Sequence, residues 1–295
     1  MDFQNYPYVK KHFENSRLDK KHPLRNLSLN YEYVDNLENI LRELDGTPNL
    51  ATKIKKMKKP SEWESIFSEL EFARRLKSLK PEFVKEESKR GLKTPDIKVN
   101  LLGKELFFEV EMLDDTTQHR RIENTFSDTL PCLIRIDGIV YNKKTADGLI
   151  EFLKNKISYD KAGVFSFEGI GIEVMLTKSL RGIMFGYSVP LESIKKKISY
   201  SFNDKLAQFK SHKPIFWVID CRKFEFSHSS MEIVLYKTNE GLFIFEEARC
   251  LSGVIARIHG NTDLFLNPFV EQRLDHDSIA KLRGLLSAKL YDHCL

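Results

Sequence analysis

The chain has 295 residues, 41% hydrophobic and 30% charged, with a formal net charge of +5. This composition excludes a disordered chain and allows a sizeable core, and the mild basic excess suits a polyanionic partner without demanding one. Cys132, Cys221, Cys250 and Cys294 form no CxxC or Cys/His cluster, which argues against a zinc module or a disulfide framework and fits a reducing cytoplasm.

Residues 1–60 read as a basic, partly helical extension with twelve Lys and Arg against eight Asp and Glu. Residues 1–30 show no clear period and read as an irregular arm. The spacing of Tyr33, Val34, Leu37, Ile40, Leu41 and Leu44 predicts an amphipathic helix, stopped by Asp45 and Gly46. Lys53, Lys55, Lys56, Lys58 and Lys59 then crowd into seven residues before Pro60. Such a run is either a solvated linker or helix end, or a contact to a phosphate backbone. No stretch approaches the roughly 18 apolar residues of a membrane span, and MDFQNYPYVKKHF lacks an apolar signal core. A soluble, cytoplasmic protein without a membrane partner is expected.

Residues 61–295 read as one α/β domain. Ser61, with Glu64 three residues on, looks like a capping box that opens a helix through about Leu79. Glu69 sits at the edge of its apolar face. Two short strands follow around Lys93 to Leu113, joined by a turn over Asn100 to Lys104. Asp96 heads the first strand. Glu109 and Glu111 lie on the second, on one face and ~7 Å apart, because side chains alternate along a strand. Further helices are expected over Gln118 to about Leu130, Thr145 to Ile157, Pro190 to Phe209 and Asp277 to Leu290. Strands are expected at Leu133 to Ile136, Val164 to Phe167, Glu173 to Thr177, Ile233 to Tyr236, Leu242 to Phe245, Gly253 to Ile258 and Leu264 to Leu266. Ile215 to Ile219, all apolar, reads as a strand buried on both faces.

Glu69, Asp96, Glu109 and Glu111 make a candidate constellation. Hard cations such as Mg²⁺ and Mn²⁺ take carboxylate oxygens, and such a site suits phosphodiester hydrolysis. The plainer alternative is a solvent-facing strand whose carboxylates pair with Lys98 or Lys104.

A helix carrying Glu69 in ELEFARRL, then Pro95 and Asp96, then Glu109 to Glu111 thirteen residues on, resembles the core of the PD-(D/E)xK nuclease superfamily, the restriction-endonuclease-like fold. The match covers about residues 61–122. The helix ending near Gln208, the IFWVID strand, and Gly253 to Ile255 followed by Leu266 to Pro268 are similar to members of that superfamily less specifically. The resemblance implies a central mixed β-sheet flanked by helices, with the helical N-terminal extension appended, and Mg²⁺- or Mn²⁺-dependent cleavage of DNA. Asp96 and Glu109 would be metal ligands and Glu69 a supporting ligand. Most members carry Lys where this chain has Glu111; here that carboxylate is a base or an extra ligand, or it marks a catalytically inactive protein that binds nucleic acid. Lys98, two residues past Asp96, is a candidate for the displaced lysine, and Gln118 or Arg121 on the following helix are further candidates to reach the site. DNA contacts fall to the lysine run and Arg121. A homodimer is one option for the assembly, since cutting both strands often uses two sites.

Overall fold

The computed structural model describes residues 3–18, 22, 24–25, 31–85, 94–113, 116–126, 132–140, 142–156, 161–176, 182–186, 191–222, 226–258 and 261–287. The chain divides into two compact units: Met1–Met112, Lys205–Asp220 and Phe243–Leu295 form the first, and Leu113–Asp204 with Cys221–Leu242 the second.

The first unit holds helices α1 (Pro7–Phe13), α2 (Tyr31–Glu43), α3 (Leu50–Met57) and α4 (Trp63–Arg75). Its strands β1 (Glu82–Phe83), β2 (Ile97–Leu101) and β3 (Lys104–Met112) come before the second unit in the chain. The second unit contributes α5 (Thr116–Phe126), β4 (Leu133–Asp137), α6 (Lys143–Lys156), β5 (Gly163–Phe167), β6 (Ile170–Met175) and β7 (Gly182–Phe185). Helix α7 (Leu191–Ser211) gives residues to both units. After it come β8 (Ile215–Asp220), α8 (His228–Tyr236), β9 (Leu251–Ile258), β10 (Asn261–Leu266) and α9 (His276–Ser287).

The fold is α/β. A six-stranded mixed sheet runs in the order β1-β2-β3-β8-β9-β10, with β3, β8 and β9 parallel and the outer pairs antiparallel. Every residue of β8 and β9 is buried. Inner parallel strands are covered on both faces, which is why IFWVI carries no polar alternation. Helix α4 lies against β3, with the Phe72 and Phe108 rings 5.4 Å apart. In the second unit a sheet ordered β5-β6-β4-β7 packs Ile134, Ile136, Ile170, Ile172 and Val174 with Ile122 of α5 and Leu149 and Leu153 of α6.

One turn sets the register on which the candidate site depends. Leu102 and Gly103 both have positive φ, 53° and 82°, between the paired Leu101 and Lys104. Two successive left-handed residues make the tight hairpin turn whose twist matches the strands. The side chain of Asn100 accepts the Gly103 N–H at 3.0 Å. From there Ile97 pairs with Phe108, and the Asp96 N–H donates to the Phe108 carbonyl at 3.0 Å. Asp96 is thereby brought beside Glu109.

Several local expectations change. The N-terminal segment is not separate from residues 61 onward: Phe3, Val9, Phe13, Leu37 and Leu41 share one apolar core with Trp63, Phe67 and Phe108. Part of the irregular arm is helical as α1, and the lysine run lies mostly on α3 and not in a linker. Helix α4 has Glu62 at its cap with no side-chain hydrogen bond, so the Ser61 capping box does not form, and the helix ends at Arg75, with one 3₁₀ turn to Leu79. The IVLY run is the end of α8, not a strand. Ser227 caps that helix by accepting the Ser230 N–H at 3.1 Å, and Met231, Val234 and Leu235 are buried at helical spacing. Leu242–Ile244 is a 3₁₀ turn, not a strand. The loop at 86–93, the helix start at Asp114 and Asp115, and the helix ends at 127–130 and 288–290 lie outside the described residues.

Helix α4 is buried on nearly every side and carries charge inward, so its charges need partners. Arg257 of β9, fully buried, donates to Glu71 at 2.9 Å, to Asp220 at 3.1 Å and to the Ser68 hydroxyl at 3.1 Å. Ser68 in turn donates to Asp220 at 2.7 Å, and Asn36 of α2 donates to Glu71 at 3.1 Å. This network fastens α4 to the ends of β8 and β9. Removing one partner strands buried charge, so Arg257→Met is expected to lower unfolding free energy by about 3–5 kcal/mol. Urea denaturation of the two proteins checks this; a decrease of less than about 1 kcal/mol would show the network to be dispensable.

Candidate active site

The first unit gathers Glu69 from α4, Asp96 from the head of β2 and Glu109 from β3 around two lysines. On α3, Leu50, Lys53, Ile54 and Met57 form the buried stripe, so Lys53 points inward at a position the helix reserves for packing. Its ammonium lies 2.5 Å from Glu69 Oε2 and 2.7 Å from Asp96 Oδ1. Asp96 Oδ2 accepts the Val110 N–H at 3.0 Å. On α7, Lys205 and Gln208 lie one turn apart and both donate to Glu109, one to each carboxylate oxygen. Gln208 Nε2 also donates to the Thr94 carbonyl at 2.7 Å, tying α7 to the residues just before Asp96. Lys205 Nζ is 4.0 Å from Glu111.

Burial and mutual repulsion divide the carboxylates. Burial, then the neighbouring Asp96 charge, push Glu69 up to about 8, with Lys53 only partly opposing them. Burial and Asp96 likewise hold Glu109 well above the ordinary carboxylate range, against the pull of Lys205. Burial works against the Asp96 carboxylate too, but the charge and hydrogen bond of Lys53, the Val110 N–H and Lys205 outweigh it and keep Asp96 below its usual value. Lys53 and Lys205 both resist the desolvation that favours their neutral forms, Lys53 through Asp96 and Glu69, Lys205 through Glu109 and Glu111, and both are raised. Asp96 therefore keeps the negative charge at the centre, and Glu69 and Glu109 are the groups that take up protons.

Of the residues singled out from sequence, Glu69, Asp96 and Glu109 come together, with Glu111 joined through Lys205. Lys98 does not join them. It shares their strand face, but its ammonium lies 3.3 Å from Glu82 and 3.5 Å from Glu105, one step along the sheet. The lysine run does not act as one tract: Lys53 enters the carboxylate cluster, Lys56 lines a cleft beside it, Lys58 lies over the Phe13 ring at 5.9 Å and Lys59 pairs with Glu62 at 2.7 Å, while Lys55 is exposed. Gln118 and Arg121 belong to the second unit, where Arg121 pairs with Asp147 at 2.5 Å. Neither Lys205 nor the inward role of Lys53 is among the sequence expectations. The signal is present in both helices: Lys53 falls on the Leu50, Ile54, Met57 stripe, and Lys205 on the line of Phe202 and Phe209. A lysine at an apolar-periodic position must either snorkel or find a buried carboxylate.

Among the described residues no three Asp, Glu, His or Cys side chains form a ready-made metal cage; the carboxylates are spread round the two ammonium groups. Comparison of the chain with protein-family models, curated proteins and solved structures gives no match, so the site is read from its own chemistry.

The raised Glu69 gives a pH dependence of fixed sign. Its carboxyl ionises near 4.5 when unfolded and near 8 when folded, so between these values the folded state holds the extra proton and its advantage falls as pH rises. In chelator, the stability of wild type relative to Glu69→Gln is expected to decline from about pH 5 to about pH 8 and then level off. Denaturation at a series of pH values checks this; a difference that rises over that range overturns the assignment.

Proposed function

We propose that the chain is a metal-dependent nuclease that hydrolyses phosphodiester bonds in DNA, built on the restriction-endonuclease-like core. The observation that carries this reading is the meeting of Asp96, Glu109 and Glu69 from three separate elements with Lys205 seated on Glu109. The order of α4, the β2–β3 hairpin and then a strand parallel to β3 is in keeping with that core.

The donor chemistry fits Mg²⁺ or Mn²⁺. Carboxylate oxygens are the ligands these ions prefer, and Mg²⁺ needs only one or two from the protein. A divalent ion would bind with release of the protons that Glu69 and Glu109 take up, freeing their carboxylate oxygens beside Asp96. Asp96 and Glu109 would hold the ion and Glu69 would support it. When bound, the ion supplies an activated water and offsets charge on the phosphoryl and leaving oxygens.

The chain's own groups supply the remaining parts. Lys205 takes the part of the lysine that Glu111 replaces on β3: it brings a positive charge to the catalytic carboxylate and to a phosphoryl group beside it. Glu111, half-buried, would accept a proton from an attacking water. Gln208 holds the Glu109 carboxylate in orientation through Thr94. Lys53 balances Asp96 and Glu69 and keeps the buried cluster stable between turnovers. A homodimer would present two such centres to a duplex.

A second reading, an inactive protein that keeps the fold and binds nucleic acid, is favoured by one observation. Lys53 and Lys205 already counter the buried carboxylates without an ion.

Nicking of plasmid and degradation of single-stranded DNA with Mg²⁺ or Mn²⁺ separate the two. Wild type is expected to cut, Asp96→Ala with Glu109→Ala to fall to background, and Lys205→Ala to drop about 10²–10³-fold, the size seen when a transition-state charge donor is removed. Wild type that cuts no better than the double variant, yet binds DNA in a salt-dependent way, would put the binding reading in its place.

A further inference from the structure

All four carboxylate oxygens of Asp96 and Glu109 already receive a donor from the chain. Asp96 Oδ1 lies 2.7 Å from the Lys53 ammonium, and its Oδ2 accepts the Val110 N–H at 3.0 Å. Glu109 receives Lys205 on one oxygen and Gln208 on the other. Two of these donors are fixed: Val110 donates from the backbone of β3, and Gln208 is tied also to the Thr94 carbonyl. The two lysines are on flexible stems. Of these, Lys53 joins carboxylates from two separate elements, since Glu69 Oε2 lies 2.5 Å from the same ammonium. A cleft of about 310 Å³ borders Lys53, with the exposed Thr52 and Lys85 in its walls. Buried Leu50, Ile54 and Met57 hold the backbone of α3 in place, so rotation of the lysine stem alone can carry its charge from the carboxylates toward water.

We propose that Lys53 is a built-in competitor for the divalent ion: as a tethered cation it holds Asp96 and Glu69 together, and it withdraws into the cleft when the ion binds. The inference rests on the metal-dependent reading of the site. Both cations want the same oxygens, because an ammonium is a compact, strongly hydrated charge and Mg²⁺ and Mn²⁺ prefer carboxylates. They do not share them well. An ion about 2.1 Å from Asp96 Oδ1 would stand within about 5 Å of the Lys53 ammonium, where like charges repel strongly away from bulk water. Apparent affinity for the ion is then reduced to the fraction of molecules in which Lys53 stands withdrawn. Lys53 thus keeps the centre closed at low ion concentration and lets it open as the concentration rises.

Calorimetry of Mn²⁺ binding to the chelator-stripped, full-length protein at one pH tests this in wild type, Lys53→Met, Lys53→Arg and Lys56→Met. Lys56 is the control because its charge also acts on Glu69, while Lys53 is the lysine on Asp96 Oδ1. Lys53→Met is expected to bind Mn²⁺ about tenfold more tightly, which corresponds to Lys53 covering the carboxylates about nine-tenths of the time. Lys53→Arg should stay near wild type, and Lys56→Met should gain far less. A second readout needs no variant: in wild type, acylation of the Lys53 amine, followed by peptide mass spectrometry, should rise severalfold on addition of Mn²⁺, while that of Lys98 stays level. Unchanged or weaker Mn²⁺ binding in Lys53→Met, an equal gain in Lys56→Met, or Lys53 acylation that Mn²⁺ leaves level overturns the proposal. If Lys53→Met does not fold, the acylation decides. Tighter Mn²⁺ binding in Lys53→Met with no cleavage of DNA by any of the proteins sinks the nuclease reading alone. Mn²⁺-dependent cleavage by wild type with unaltered Mn²⁺ affinity in Lys53→Met sinks the competitor alone.

Discussion

Everything at the candidate site follows from the pairing of Asp96 against Glu109 across the β2–β3 hairpin. Antiparallel register, fixed by the Leu102–Gly103 turn, forces two carboxylates to adjoin where both are largely out of water. Two such charges repel strongly in a medium of reduced dielectric, and the chain must answer that cost. It does so twice, with Lys53 from α3 on one side and Lys205 from α7 on the other. The proton affinity of Glu69 and Glu109 is the remaining part of the same answer. The two lysines thus counter much of the charge of the carboxylates from opposite sides.

Helix α4 carries two ionic systems on different sides. Glu69 faces Lys53, while Ser68 and Glu71 face Arg257 and Asp220. The second system holds no exposed group that could act on a substrate; Arg257 and Glu71 are fully buried. Its effect is positional, since it locks α4 to β8 and β9 and so sets how far Glu69 stands from the hairpin. A buried ion pair adds little net stability over an apolar one, but it tolerates few alternative arrangements. A cluster assembled from several elements depends on that kind of restriction to keep its side chains in register.

Basic residues sort by the same local rule. In the lysine run Lys59 meets the surface carboxylate of Glu62, whereas Lys53, on the apolar stripe of α3, and Lys205, on that of α7, are carried inward to buried acids. Formal charge along the chain therefore says little about which cations reach the chemistry. Lys98 shows the converse: it stands on the correct face of β2, but Glu82 and Glu105 are nearer than Glu109.

The α/β class, the buried character of Ile215 to Ile219, the turn after Asn100 and the candidate carboxylates were all legible in the amino-acid sequence, because apolar period, strand alternation and turn chemistry are local properties. Local patterns mislead where they have two readings. IVLY suits a strand as well as a helix end, and only the Ser227 cap and the packing of Met231 and Val234 decide for the helix. Which cations answer the carboxylates was settled by tertiary structure alone. Lys53 lies 43 residues from Asp96 along the chain, and Lys205 lies 96 residues from Glu109. Both are chosen by where their helices dock. Docking depends on the whole core, and no window of sequence around Asp96 or Glu109 contains it.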